Sequence, residues 1–260
     1  MLIPVADAPE LDEEASTVFA EGWPEFIFHD AVAKQYAERR DRYFADWNFY
    51  YVAEPPAASP RAGSPALAAA PPAAQPRLIA GCWGVPLAWD GSIPDLPGGY
   101  TDALARSVTS YESGIQPNTF VLMAAAVRAD QQGQGTAAAL ITAVRDRAVA
   151  HGLTQVIAPL RPTLKTRYPL TDIATYQTWT RPDGLPLDPW LRTHVRLGAT
   201  ILAPAPTSQT ITGSVADWEK WTGMPFPSDG TYTIPAGLST LTITNGVGTY
   251  TEPNIWVRHA

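Results

Sequence analysis

Residues 127–141 read VRADQQGQGTAAALI, a glycine-spaced turn that runs straight into an alanine-rich helical pattern. The turn follows NTFVLMAAAV (118–127), a continuous apolar run that predicts a strand buried on both faces. A strand feeding a helix through Gly133 and Gly135 leaves the first amides of that helix without intrahelical partners. Together with the positive end of the helix dipole, such amides suit an anion, most often phosphate. The competing answer is that the glycines only turn the chain.

Three phosphate-loop readings can be tested on the residues. A Walker loop needs a lysine after its second glycine, and none follows here. A dinucleotide fingerprint is nominally met, because Gly133-Gln134-Gly135-Thr136-Ala137-Ala138 fits GxGxxA. That reading also requires an acid ending the next strand, and TQVIAPLRP (154–162) contains none. The third reading is a pyrophosphate loop for coenzyme A.

Working outward, the helix is expected from about Gly135 to Ala150, with His151-Gly152 as its stop. TQVIAPL (154–160) is the next strand, DPWLRTHVRL (188–197) a short helix and GATILA (198–203) a strand. Upstream, PEFIFHDAVAKQYAERRDRYFADW (24–47) has apolar positions at helical spacing, and GGYTDALARSV (98–108) predicts a short helix. WNFYYVA (47–53) and LIAGCWGVPL (78–87) read as strands. Between them, residues 54–76 are rich in proline and alanine with almost no large apolar side chain, so nothing there offsets the entropy of ordering. A disordered loop in a stretched hairpin is expected at about 54–76. The last quarter, with STLTITNGV (239–247) and NIWVRH (254–259), predicts further strands. The expected fold is a mixed α/β domain spanning 1–260, with a mixed central β-sheet flanked by helices.

Composition excludes several function classes. A net charge of −7 does not suit a nucleic-acid surface, which needs clustered cations. Cys82 is the single cysteine and can form neither an internal disulfide nor a thiolate metal site. The four histidines (His29, His151, His194, His259) lack ligand spacing, so no metal is expected. The acidic opening MLIPVADAPELDEEASTVFA does not read as a signal peptide, and no apolar run approaches a membrane span. A cytoplasmic protein with no membrane partner is the expectation.

FVLMAAAVRADQQGQGTAAALITAV (120–144) resembles the coenzyme A loop of the GNAT acetyltransferase superfamily, whose pattern Q/R-x-x-G-x-G/A follows an apolar strand. Gln132, Gly135 and Ala137 hold the three places of that pattern. The resemblance implies the GNAT fold, with Ala125 and Val127 contacting pantetheine. It gives the phosphates to Gln132, Gly133, Gln134, Gly135, Thr136 and Ala137. The implied co-substrate is acetyl-CoA or another acyl-CoA.

DPWLRTHVRLGATIL (188–202) is similar to the family's late helix, and Leu197-Gly198 set the register. His194 then falls where a general-acid tyrosine commonly sits, and histidine is well poised for proton transfer near neutral pH. CWGVPLAWDGSIPDLPGGY (82–100), RPTLKTRYPL (161–170) and DPWLRTHVRLGA (188–199) look like segments of a GNAT-like subgroup. Its relatives in polyketide loading modules decarboxylate malonyl-CoA and pass the acyl group to a carrier-protein thiol, using a threonine and a histidine. The resemblance maps those two onto Thr163 and His194. Among aromatic residues near the implied acyl site, Trp83, Tyr168 and Tyr176 are the candidate substrate contacts, with core packing as the alternative.

One departure concerns the general base. TFVLMAAAV (119–127) and TQVIAPL (154–160) carry no carboxylate, so Glu219, Glu252 or Asp188 would have to come from elsewhere. The expected activity is transfer of a short acyl group from CoA to a small amine or an acyl carrier protein. The alternatives are malonyl-CoA-type decarboxylation with S-acyl transfer, and a non-catalytic CoA-binding or interaction module. A second copy of the chain is a further candidate partner.

Overall fold

A computed structural model of the chain describes residues 1–20, 22–53 and 77–259. The expected loop at 54–76 lies outside the described residues. Chain order runs β1 (Leu2–Pro4), α1 (Asp12–Ala20), α2 (Ala31–Lys34), α3 (Ala37–Tyr43), β2 (Asn48–Ala53), β3 (Arg77–Leu87), α4 (Tyr100–Glu112), β4 (Thr119–Val127) and α5 (Thr136–Ala150). It continues with β5 (Gln155–Leu160), α6 (Ile173–Tyr176), α7 (Pro189–Arg196), β6 (Thr200–Ser214), α8 (Val215–Thr222), β7 (Gly230–Thr233), β8 (Thr240–Thr244) and β9 (Val247–His259). The expected mixed α/β fold is met: the strands form one mixed sheet in the order β1-β2-β3-β4-β5-β9-β8-β7, with β6 on β9, and helices cover both faces.

On one face Leu140, Ile141 and Val144 of α5 pack with Phe120, Leu122 and Ile255 of the sheet. On the other, Ala103, Leu104 and Val108 of α4 pack with Val121, Met123, Ile157 and Trp256. Neighbouring residues of β4 thus enter opposite cores, which is why its sequence is continuously apolar rather than alternating.

The helix expected across 24–47 is broken into a 3-10 turn at Glu25–His29 and the short α2 and α3. Asp30 causes the break. Its backbone is extended, and Oδ1 accepts the amides of Val32 and Ala33, so it starts a new helix where a continuous one would need a helical residue.

The expected hairpin is present, since β2 and β3 are antiparallel and Ala53 pairs with Arg77 at its open end. Paired residues lie only about 5 Å apart, so a short connection can close the gap left by 54–76. Replacing Pro55–Pro76 with a short glycine–serine link is therefore expected to preserve the circular-dichroism spectrum and the unfolding temperature within a few degrees, because loop-closure entropy changes slowly with length. Insoluble protein would show that the segment packs against the domain.

The last fifty residues extend the sheet. β6 and β9 pair antiparallel from Thr200–Arg258 to Ser214–Val247, a ribbon much longer than the short strands expected from GATILA and NIWVRH. Near its C-terminal end β9 lies between β5 and β6; near its N-terminal end it lies between β8 and β6. Around that outer part Trp218 of α8, Ile211, Leu241 and Tyr250 form a core closed by Phe26 and Ile27. The C-terminal ribbon is thereby clamped to the segment preceding α2.

Candidate active site

Parallel pairing of β4 with β5 covers only Thr119–Gln155, Phe120–Val156 and Val121–Ile157. Beyond that point β4 stays paired to β3 as far as Val127, while β5 stays paired to β9. The two central strands part, leaving the backbone of residues 122–127 unpaired on the β5 side. A bulge at Met123 adds to the divergence: Trp83 pairs with Ala124 and Gly84 with Leu122. Bulges bend and twist a strand and re-aim its side chains.

Below the parting lies a cavity of about 620 Å³. Its floor is Met123, Ala124, Ala125 and Ala126 of β4, with Pro159 and Arg161 across the gap. Phe19 of α1 roofs it and lies so close to β3 that a Cβ on Gly81 would sit 2.2 Å from the ring. Trp83, Tyr100 and Arg40 form a side wall, the Arg40 guanidinium 4.4 Å from the Trp83 ring centroid. The far end comes from the ribbon: Gln209, Glu252 and Asn254.

Glu252 sits where β9 leaves β5, is fully buried and faces Arg161, whose Nε is 2.6 Å from Oε1. That approach is out of line for a hydrogen bond, so Oε1 is ion-paired yet without a hydrogen-bond partner among the described residues. Oε2 accepts the Tyr250 hydroxyl. Burial raises the Glu252 pKa above its ordinary value; Arg161, Tyr250 and Lys165 oppose the rise without cancelling it. Lys165 is itself buried, with Nζ donating to the carbonyls of Tyr168 and Leu238 at 2.7 Å each, and burial lowers its pKa. A buried carboxylate held short of full hydrogen bonding and biased toward its protonated form has the character of a general base.

Of the three carboxylates considered from sequence, only Glu252 lines the cavity. Asp188 caps α7 through the amides of Trp190 and Leu191 and also accepts the Leu164 amide and the Tyr176 hydroxyl. Glu219 is exposed and accepts the Phe226 amide.

The glycine turn stands at the cleft end of β4. Gly133 and Gly135 adopt left-handed φ of +75° and +84°, and neither ideal Cβ position has a heavy atom within 4 Å. Gln132 Nε2 donates to Val127 O at 3.2 Å and Gln134 Nε2 to Asp130 O at 2.8 Å, so both glutamines brace the turn. Thr136 and Ala137 open α5, whose first amides have no intrahelical acceptor.

The remaining sequence candidates divide. Trp83 and Ala125 line the cavity, whereas Val127 packs against the α5-side core. Thr163 is exposed at the start of the turn Thr163–Arg167 and does not line the cavity. Tyr168 is 38% exposed and packs edge-on to Trp179, while Tyr176 is buried on Asp188; neither lines it.

His194 lies apart from the cavity. Its side chain is fully buried and its Nδ1 lies 2.8 Å from His259 Nε2. His259 pairs with Val156, three residues before the cavity-lining Pro159, so the pair sits about 10 Å toward the closed end of the sheet. Burial, and then His259, push the His194 pKa down to about 3. Burial thus favours the uncharged imidazole, and the ring does not line the cavity.

No family model matches the chain. Against curated proteins it is 31% identical over 188 residues to the arginine N-acetyltransferase avaD of Aspergillus versicolor. The chain resembles an N-acetyltransferase. That match covers 64% of this chain and 65% of the relative, so the chain spans just under two thirds of the relative's length. The likeness agrees with the GNAT resemblance carried by residues 120–144. Among solved structures, the loading GNATL domain of CurA from Lyngbya majuscula is 16% identical with a TM-score of 0.44, covering 70% of this chain and 71% of that one. The GphF GNAT-like decarboxylase in complex with isobutyryl-CoA is 14% identical with a TM-score of 0.39, covering 72% and 74%. Among the described residues no cluster of three or more His, Cys, Asp or Glu could hold a metal ion, and no helix is long and apolar enough to cross a membrane.

Proposed function

We propose that the protein is a single-domain acyl-CoA-dependent acyltransferase that moves an acetyl or other short acyl group to a small amine. The observation that carries this reading is the parting of β4 from β5 over a cavity with a buried carboxylate at its far end. The residues fit the co-substrate. The free edge of 122–126 offers peptide groups to an amide-bearing pantetheine arm, and Ala124–Ala126 keep it unobstructed. Gly133, Gly135 and the first turn of α5 offer backbone amides to a pyrophosphate.

In this reading Glu252 takes the proton that the acceptor amine loses as its nitrogen bonds to the acyl carbon and the bond to sulfur breaks. Arg161 holds the Glu252 carboxylate in place. The relative's name, an arginine N-acetyltransferase, supports an amine acceptor over a carrier-protein thiol. Decarboxylation with S-acyl transfer was anchored on His194 and Thr163, and neither lines the cavity.

The experiment is CoA release from acetyl-CoA across a panel of amines that includes arginine, with the product mass measured. Acetyl-CoA binding without release on any acceptor would overturn catalysis and leave a binding module. The loop is tested separately by Gly135→Val. A β-branched residue at φ +84° is strained by about 1–2 kcal/mol, and its methyls crowd the amides. Affinity for CoA is expected to fall at least about tenfold by calorimetry, with the circular-dichroism spectrum retained. Unchanged affinity would reduce the glycines to a turn.

A further inference from the structure

A smaller recess of about 150 Å³ opens beside the main cavity. Arg40, Tyr100 and Gln209 line both spaces together with the apolar Ile27, Phe28 and Trp83, and are the polar part of the mouth between them. Each carries at least one polar atom that nothing among the described residues uses. Gln209 is 7% exposed, and its carboxamide makes no hydrogen bond among the described residues. The same holds for the Tyr100 hydroxyl, although the Tyr100 amide is bonded to Ser208. Arg40 Nε is buried and unpartnered, the guanidinium being held flat on Trp83 and ion-paired through one amino group to Asp41.

Arg40 Nε is the buried unpartnered atom among them, while the Tyr100 hydroxyl and the Gln209 carboxamide are left free to bond a molecule in the cavity. Their character is donor-rich: a guanidinium, a phenol and an amide N–H. Asp30 beside them does not compete, because both its oxygens are already engaged, Oδ1 by the amides of Val32 and Ala33 and Oδ2 by the Thr101 hydroxyl. Lys34 adds positive charge at the recess wall. Asp41 also lines the main cavity and, although half-exposed, is ion-paired to one Arg40 amino group, so Arg40 meets a ligand through its other nitrogens.

Register supplies the distance. Gln209 and Glu252 are direct partners across the β6–β9 ladder, so they project from the same face with Cβ atoms about 4.5–5.5 Å apart. A base and a donor cluster at that separation match two adjacent groups of one small molecule.

We propose that Arg40, Tyr100 and Gln209 form a carboxylate subsite, and that the acceptor in the proposed reaction is an amino acid whose carboxylate lies there while its amine faces Glu252. This rests on the acyltransfer reading above. It also gives the C-terminal ribbon a role, since β6 and β9 supply Gln209 and Glu252 and thus read the acceptor.

The test uses arginine and agmatine, which differ only by the carboxylate, titrated calorimetrically into the full-length protein saturated with CoA. Arginine is expected to bind at least tenfold more tightly. Gln209→Leu and Arg40→Gln should each bring the ratio of the two affinities within about twofold. Arg40→Lys, which keeps the charge but not the planar fork, should retain an intermediate ratio. Circular dichroism and unfolding temperature report folding, and Gln209→Leu, which removes no charge, decides the matter if the Arg40 variants fold poorly. Equal affinities in the parent, failure to bind either compound, or a tenfold ratio that survives Gln209→Leu would each overturn the subsite. Failure of the acyltransfer reading looks different: no CoA release with either compound while the binding ratio persists.

Discussion

Glu252→Gln is expected to lower kcat by about 10²–10⁴-fold, the usual contribution of a positioned acid or base. The substitution keeps the size of the side chain and a hydrogen-bond acceptor for Tyr250, but it cannot take a proton. Acyl-CoA affinity should stay within a few-fold, because Glu252 stands on the ribbon and not at the glycine turn. The pH profile separates a base from a merely structural group. Activity needs the carboxylate form, so the parent should gain activity as pH rises through the Glu252 pKa. Burial places that pKa above the ordinary glutamate range, and the rising limb moves with it. The limb should vanish in the glutamine variant, and Glu252→Asp should restore it with partial activity. Losing the charge opposite Arg161 will also lower stability, so the comparison belongs well below the variant's unfolding temperature. A glutamine variant turning over within threefold of the parent would remove Glu252 from the mechanism.

Much of the scaffold was legible because it is written in local pattern. The buried run of β4, the glycine turn and α5 follow one another within thirty-odd residues and carry their own periodicity and stop signal. The aromatic strands flanking 54–76 were equally plain. Glu252 was not. TYTEPNIWV has no motif, and its meaning comes from β9 crossing from β8 to β5, a non-local pairing that brings Glu252 onto Arg161, which follows a strand formed more than ninety residues earlier. The acidic residue missing from the central strands is supplied through topology. Gln209 was hidden for the same reason, lying where β6 resumes pairing after an irregular stretch. A possible signal was the pair of buried-type segments around them, TITGS and GTYTE, whose alternation marks a ribbon but not which face meets a cavity.

His194 illustrates the opposite failure. Register against Leu197-Gly198 put it at the correct position in the chain and on the expected helix, α7. Register does not decide which way a helical side chain points, and a turn of 100° per residue separates a cavity-facing from a core-facing position. Here α7 rolls His194 into the core, edge-on to Trp190 and against His259. Tyr176 went the same way, bonded to the buried Asp188.

That buried pair makes stability, not turnover, the property His194 is expected to govern. The 2.8 Å contact between His194 Nδ1 and His259 Nε2 requires one N–H and one lone pair, so the pair is bonded only while at least one ring is neutral. Burial lowers both pKa values, to about 3 for His194 and about 4 for His259, with His259 and Arg145 as the respective secondary causes. In the unfolded chain both titrate near 6.5. Between these limits the unfolded state binds protons that the folded state refuses. The contribution to stability is therefore complete above pH 6.5 and is lost as pH falls toward 4 and then 3. Each such proton is worth roughly 1.4 kcal/mol per pH unit, so two give a slope of about 2.7 kcal/mol per unit. Over the roughly 2.5 pH units from 6.5 to 4 that slope removes at most about 7 kcal/mol, against a typical domain stability of about 5–15 kcal/mol, so stability should fall steeply across this range. Urea unfolding followed by circular dichroism from pH 8 to 4.5 measures it directly. His194→Ala leaves a cavity and strands the His259 nitrogen, and it should destabilise by about 2–4 kcal/mol at pH 7.5. Exchanging both rings for apolar side chains of similar size should flatten the acid limb. Where folded, His194→Ala should keep kcat within a few-fold; a hundredfold loss in a folded variant would return His194 to the chemistry and overturn its assignment to the core.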